Sequence, residues 1–66
     1  MDEFDISEGL LTPEEVAALY GVRRATAITW ARNQRLPAMQ TPGGSWRFSK
    51  AAVRRDREAR RTTWGA

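Results

Sequence analysis

The stretch LTPEEVAALYG, Leu11 to Gly21, carries the signals for both ends of one short helix. Thr12 is a natural N-cap, and Glu15 completes the Thr-x-x-Glu capping box, in which each side chain satisfies the other residue's backbone N–H. Pro13 takes the first helical position, where a missing N–H costs nothing. Leu11 and Val16 form a hydrophobic staple across the cap, and Gly21 supplies the stop. A helix over residues 13–20 is predicted. Whatever fold the chain adopts must accommodate a second helical segment immediately after it.

That second segment, RRATAITWARNQ, predicts a helix over about residues 24–33. Its ends are weakly marked: Arg23 or Arg24 stands where Ser or Asp would cap, and Asn33 or Gln34 stands where glycine is favoured. Leu36-Pro37 closes the helical stretch, because the residue before proline is pushed out of the α region. Two short runs, AMQT and WRF, then flank PGGS and can pair as a hairpin. Pro42-Gly43 suits the centre of a type II turn, with Gly43 at positive φ. Pleat alternation places Trp46 and Phe48 on one face and Arg47 on the other. Ser49 can cap a third helix, KAAVRRDREARR, with Asp56 and Arg60 in the favourable i,i+4 order and a thin apolar face of Ala52, Val53 and Ala59.

The fold class expected is therefore mainly α with a small β-hairpin. Residues 1–9 read as a flexible acidic arm that Phe4 and Ile6 could dock, residues 10–61 as the domain, and residues 62–66 as a C-terminal tail. With 66 residues the core is small. Its candidates are Leu10, Leu11, Val16, Ala17, Leu19, Tyr20, Val22, Trp30, Leu36, Met39, Trp46, Phe48 and Val53. Trp64 is expected to cover that core or a neighbouring protomer.

Charge divides the chain. Residues 1–20 hold six acids and no base, whereas residues 21–66 hold eleven bases against Asp56 and Glu58, so a net +3 separates into −6 and +9. Ten of the bases are arginine, whose planar fork suits phosphate. Cysteine and histidine are absent, which excludes disulfides, thiolate nucleophiles, Cys/His zinc sites and imidazole chemistry. The carboxylates lie mostly in the arm and the first helical turn, and no nucleophile–base pair or phosphate-binding loop is visible. No catalytic residue, cofactor or metal site is expected. No apolar run reaches a membrane span, and Met-Asp-Glu-Phe-Asp is unlike a signal peptide, so a soluble, cytoplasmic protein with no membrane partner is expected.

Two helices joined by so few residues, with Ala17 small at the crossing, Gly21 at the turn and Ala27 and Trp30 inward, form a helix-turn-helix pattern. If Ala27, Trp30 and Ala31 face inward, then Ala25, Ile28, Thr29 and Arg32 face outward as a candidate base-reading surface. The alternative buries Ile28 and turns Ala27 out. In a major groove Arg24 or Arg32 could pair with guanine or phosphate and Thr29 with either, while Ala25 and Ile28 could meet a thymine methyl.

The span LTPEEVAALYGVRRATAITWARNQRLPAMQTPGGSWRFSKAAV, Leu11 to Val53, resembles the winged helix-turn-helix of the MerR superfamily, especially its small stand-alone members, the BldC-type regulators and the excisionases. Relatives often carry Ser or Asp at the position of Arg23, a bulky aliphatic at Ala27, a polar residue at Ile28 and glycine at Gln34. The resemblance implies double-stranded DNA as partner, with the second helix in the major groove and the wing on the backbone or minor groove. It makes Arg47 a main contact, and Gly43 and Gly44 points of close approach. The DNA-binding set so expected is Arg23, Arg24, Ala25, Thr26, Ile28, Thr29, Arg32, Thr41, Gly43, Gly44, Ser45 and Arg47. Trp46 is either a core anchor or a DNA contact.

The arginines Arg54, Arg55, Arg57, Arg60 and Arg61 form either a solvated face or a second phosphate track. The acidic arm is either a solubilising tail or a patch for a basic partner surface. The implied role is a small architectural factor of the excisionase type, bacterial or phage-encoded, with further copies of itself and an integrase as partners. A BldC-like promoter regulator is the alternative, and a protein-only adaptor a remote one. MerR-type activators carry a long dimerisation helix and an effector domain, which this chain is expected to lack.

Overall fold

The local signals around Thr12 act as their chemistry requires. In a computed structural model, which describes residues 4–65 with side chains through Arg60, the Thr12 hydroxyl accepts from Glu15 N–H at 3.1 Å. The Glu15 carboxylate accepts from Thr12 N–H at 2.8 Å. They open helix α1, Pro13–Tyr20. Gly21 ends it at φ 68°, and Val22 N–H returns to the Ala17 carbonyl at 3.0 Å. Helix α2, Arg24–Arg32, follows.

Helix α2 begins without a side-chain cap and ends in an unusual way. Gln34 takes φ 58°, the left-handed conformation that favours glycine, while Arg35 N–H closes onto the Trp30 carbonyl at 2.9 Å. A Cβ in that region costs roughly 1–2 kcal/mol. Gln34→Gly is therefore expected to raise the melting temperature by about 4–8 °C in a thermal scan, the shift that ~1 kcal/mol produces in so small a domain. An unchanged or lower midpoint would show that the Gln34 conformation carries no cost.

The hairpin joins β2, Ala38–Gln40, to β3, Trp46–Ser49, but its loop corrects the type II expectation. The Thr41 carbonyl accepts from Gly44 N–H at 2.8 Å, and Thr41 N–H donates to the Ser45 carbonyl at 2.7 Å. Positive φ falls on Gly44, at 89°, and not on Gly43. This three-residue loop with a bulge glycine keeps the right-handed twist of the flanking strands, whereas a type II turn would splay them.

A third strand, β1, Leu10–Leu11, was not foreseen, since two residues show no periodicity. It pairs antiparallel with β3, so the sheet order is β1-β3-β2. Phe48 faces Leu11 and Ala38 across the strands, and it is fully buried against Val16, Ala27, Leu36 and Val53. Leu10 pairs with Ser49 and Met39 with Arg47, on the opposite pleat face from Phe48. Consequently Leu10 (44% exposed) and Met39 (47%) stand outside the core expected to contain them, as does Leu19 (42%), which lies off the stripe of Val16, Ala17 and Tyr20. Ala27 is fully buried, which decides the α2 orientation in favour of Ala27 inward.

Helix α3, Lys50–Gly65, is capped by Ser49, whose hydroxyl accepts from Ala52 N–H at 3.1 Å and donates to the Asp5 carbonyl. Its buried face is Ala51, Ala52 and Val53; Ala51 was missed, and Ala59 is exposed. The helix continues through residues 62–65, which the sequence assigned to a tail. The Trp64 and Arg61 side chains lie outside the described residues. Residues 5–9, read as a flexible arm, are docked on α3. Lys50 N–H donates to the Gly9 carbonyl at 3.1 Å, Arg54 forms a two-point pair with Glu8, and Arg55 reaches Asp5 at 3.5 Å. Hydrogen bonds to Ser49 and Lys50, together with these ion pairs, hold this segment; of the two residues expected to dock it, Phe4 is half-buried and Ile6 is exposed. Asp2 and Glu3 lie outside the described residues.

Candidate nucleic-acid interface

The α1–α2 crossing is fixed from behind by an aromatic and ionic cluster. Tyr20 meets Trp30 edge-on at 5.1 Å, donates its hydroxyl to Asp56 on α3 at 2.7 Å, and lies under the Arg60 guanidinium at 5.7 Å. Arg60 Nε donates to the same Asp56 oxygen at 2.8 Å. Burial alone would raise the Asp56 carboxyl, but the hydrogen bonds from Tyr20 and Arg60 outweigh it and hold it below the usual range. Burial, then the carboxylate beside it, pushes the Tyr20 phenol well above its ordinary value.

A phenol with a raised folded-state pKa contributes stability that is present below the unfolded value of about 10 and lost as pH rises beyond it. Tyr20 is the only tyrosine in the chain. An alkaline titration at 295 nm should therefore show no phenolate near pH 10, with ionisation appearing later and together with loss of helical ellipticity. Ordinary titration of the folded protein near pH 10 would contradict the cluster.

With the crossing held, Arg24, Ile28 and Arg32 lie one turn apart along α2 and share a face. They form one wall of a cleft of about 410 Å³. The hairpin lines the same cleft with Gln40, Gly43, Gly44, Ser45, Trp46 and Arg47, and the cap of α1 adds Thr12, Pro13 and Glu14. Seven of the twelve residues expected in the interface meet here: Arg24, Ile28, Arg32, Gly43, Gly44, Ser45 and Arg47.

The other five do not line the cleft. Ala25 and Thr29 are exposed beside it, and the Thr29 hydroxyl donates to the Ala25 carbonyl at 3.1 Å, which leaves its lone pairs as acceptors. Arg23 is exposed at the α2 N-cap, and Thr26 is half-buried. Thr41 is half-buried and braces the loop, its hydroxyl accepting from Ser45 N–H at 3.1 Å. Gln40 adds a bond to the Gly44 carbonyl at 3.2 Å, so the wing is held on both sides.

Arg47 is half-buried and donates one bond to the Trp46 carbonyl at 2.8 Å. Trp46 packs against the core and also forms part of the cleft wall, so it is an anchor that the cleft contacts. Three cationic side chains in the cleft stand against one acid, Glu14. Its carboxyl is held below the usual range by a hydrogen bond from its own backbone and then by Arg24, whose Nε donates to it at 2.7 Å.

Glu14, Gln40 and the α1 cap were not foreseen as cleft residues. Glu14 already had a complete local explanation as a first-turn acid, which hid its second use. The α3 arginines Arg54, Arg55 and Arg60 are instead paired with Glu8, Asp5 and Asp56. Among the described residues no cluster of acids could hold a metal ion, and no helix is long and apolar enough to cross a membrane. Residues 10–61 match a protein family described as a helix-turn-helix domain. No curated protein matches the chain.

Proposed function

The chain belongs to this helix-turn-helix domain family, a DNA-binding class, and from that premise we propose that it reads duplex DNA with α2 in the major groove and the wing on the adjacent backbone or minor groove. The observation that carries this reading is the shared cleft: the Arg24–Ile28–Arg32 stripe and the Gly43–Arg47 wing face the same space. Arg24 and Arg32 are assigned to guanine edges or phosphates, Ile28 and Ala25 to thymine methyls, and Thr29 to a base or phosphate. Arg23, Thr26, Thr41 and Ser45 are assigned to the backbone, with Arg47 as the principal wing contact.

The glycines support the same assignment. Gly44 is required by its φ of 89°, but a side chain at Gly43 would meet only the Thr41 hydroxyl oxygen at 4.0 Å. Among the described residues nothing demands glycine at 43, and the missing side chain there suits a close approach of the wing backbone to DNA.

The role assigned is that of a small architectural factor of the excisionase type, with further copies of the chain and an integrase as partners, supported by a Trp46–Arg47 wing that resembles those of excisionases. Affinity for duplex DNA should fall steeply with salt, with a log–log slope of about −3 if Arg23, Arg32 and Arg47 each meet a phosphate. No retention at low salt would make the chain a protein-only adaptor. Position-dependent gel mobility of permuted fragments should report a bend, and a straight complex would reassign it as a promoter regulator.

A further inference from the structure

Arg24 differs from the other cations of the cleft. Among the described residues it is the one cleft arginine paired with a carboxylate, Glu14, ten positions earlier on the neighbouring helix. The two side chains are 60% and 63% exposed, and an ion pair so open to water adds little to stability. An acid beside Arg32 and Arg47 also weakens the attraction of the cleft for phosphate. Neither folding nor general DNA affinity accounts for it.

Geometry does. The carboxylate takes Arg24 through Nε, which leaves both terminal nitrogens of the guanidinium to donate elsewhere. Those two nitrogens are a fork that matches O6 and N7 of guanine in the major groove. Arg24 is the first residue of α2, and the N-terminal residues of a groove-entering helix are the ones that reach base edges. An arginine already held in place also has less rotamer freedom to lose on binding.

We propose that Glu14 is a specificity-determining positioning residue: it grips Arg24 by Nε so that the two terminal nitrogens are presented to a single guanine. The assignment rests on the reading of α2 as the helix that enters the groove. It adds that one base of the target is chosen by a residue that acts through Arg24.

The test is selection of preferred sites from a randomised duplex pool with the wild-type chain, Glu14→Ala, Glu14→Gln and Arg24→Ala. Titrations then follow on the selected site and on a copy with the chosen guanine changed to adenine. The wild type should prefer guanine about tenfold or more at one position, within the range of a bidentate contact. Arg24→Ala should erase that preference. Glu14→Ala should lose most of it while affinity for unrelated duplex rises, and should add nothing to the loss of preference when combined with Arg24→Ala.

Glu14→Gln, which keeps an acceptor and leaves the Thr12–Glu15 box intact, should fall between the two and serves as the check if the alanine variant folds poorly. Full retention of the guanine preference in Glu14→Ala and Glu14→Gln would overturn the proposal. So would a uniform loss across all sequences, or a wild-type site with no guanine that depends on Arg24. Arg47→Ala separates the two levels: if it weakens binding while the Glu14 variants keep the base preference, only the positioning role fails. If the wild-type chain binds no duplex, the underlying reading fails with it.

Discussion

Arg47→Ala is expected to weaken duplex binding on the order of tenfold to a hundredfold, the range for losing one hydrogen-bonded contact to a charged group, while leaving the fold unchanged. The side chain lies on the pleat face away from Phe48, and among the described residues it donates only to the neighbouring Trp46 carbonyl. Its removal opens no cavity in the core. Because the wing carries no other arginine, loss of its phosphate contact should also make the salt slope shallower by about one. Fluorescence anisotropy across a salt series measures both quantities, and a thermal melt supplies the control. Unchanged affinity with an unchanged melt would remove the wing from the binding surface.

The second large effect is on the fold. Phe48→Ala should leave the chain mostly unfolded at room temperature. Phe48 is fully buried on β3, the strand that pairs with both β1 and β2 and packs on all three helices. Truncating a buried phenylalanine costs roughly 3–5 kcal/mol. Typical stability for a chain of this length is roughly 3–10 kcal/mol, and the small core places this one toward the low end. Circular dichroism should show loss of the cooperative thermal transition or a midpoint lowered by more than about 15 °C. A variant that melts within a few degrees of wild type would show that β3 is not the keystone of the core. DNA binding by such a variant would be lost through unfolding, so it complements Arg47→Ala without duplicating it.

Much of this architecture can be read residue by residue. Thr12, Pro13, Glu15 and Gly21 define α1 through bonds that span only a few residues, and the helix runs from 13 to 20 as they require. Ser49 caps α3, and Phe48 turns inward opposite Arg47. The misreadings share a cause. Leu10 and Met39 are apolar and looked like core, yet their register beside Ser49 and Arg47 puts them on the pleat face away from Phe48, where they stay about half exposed. Positive φ moved from Gly43 to Gly44 because strand twist selected the loop type. Acidic residues 5 and 8 looked like a free arm until the α3 arginines gave them partners.

The amino-acid order by itself determined what depends on neighbours along the chain: where helices start and stop, which strand residues share a face, the helix-turn-helix spacing, and an arginine-rich half suited to phosphate. Tertiary structure alone decided which of those surfaces meet. The helix crossing brings Glu14 to Arg24, the sheet register sets Arg47 beside Met39, and together they aim the α2 stripe and the wing into one cleft. Capping, pleating and periodicity act over one or two turns, whereas contacts between residues ten to forty-six positions apart depend on how whole elements pack.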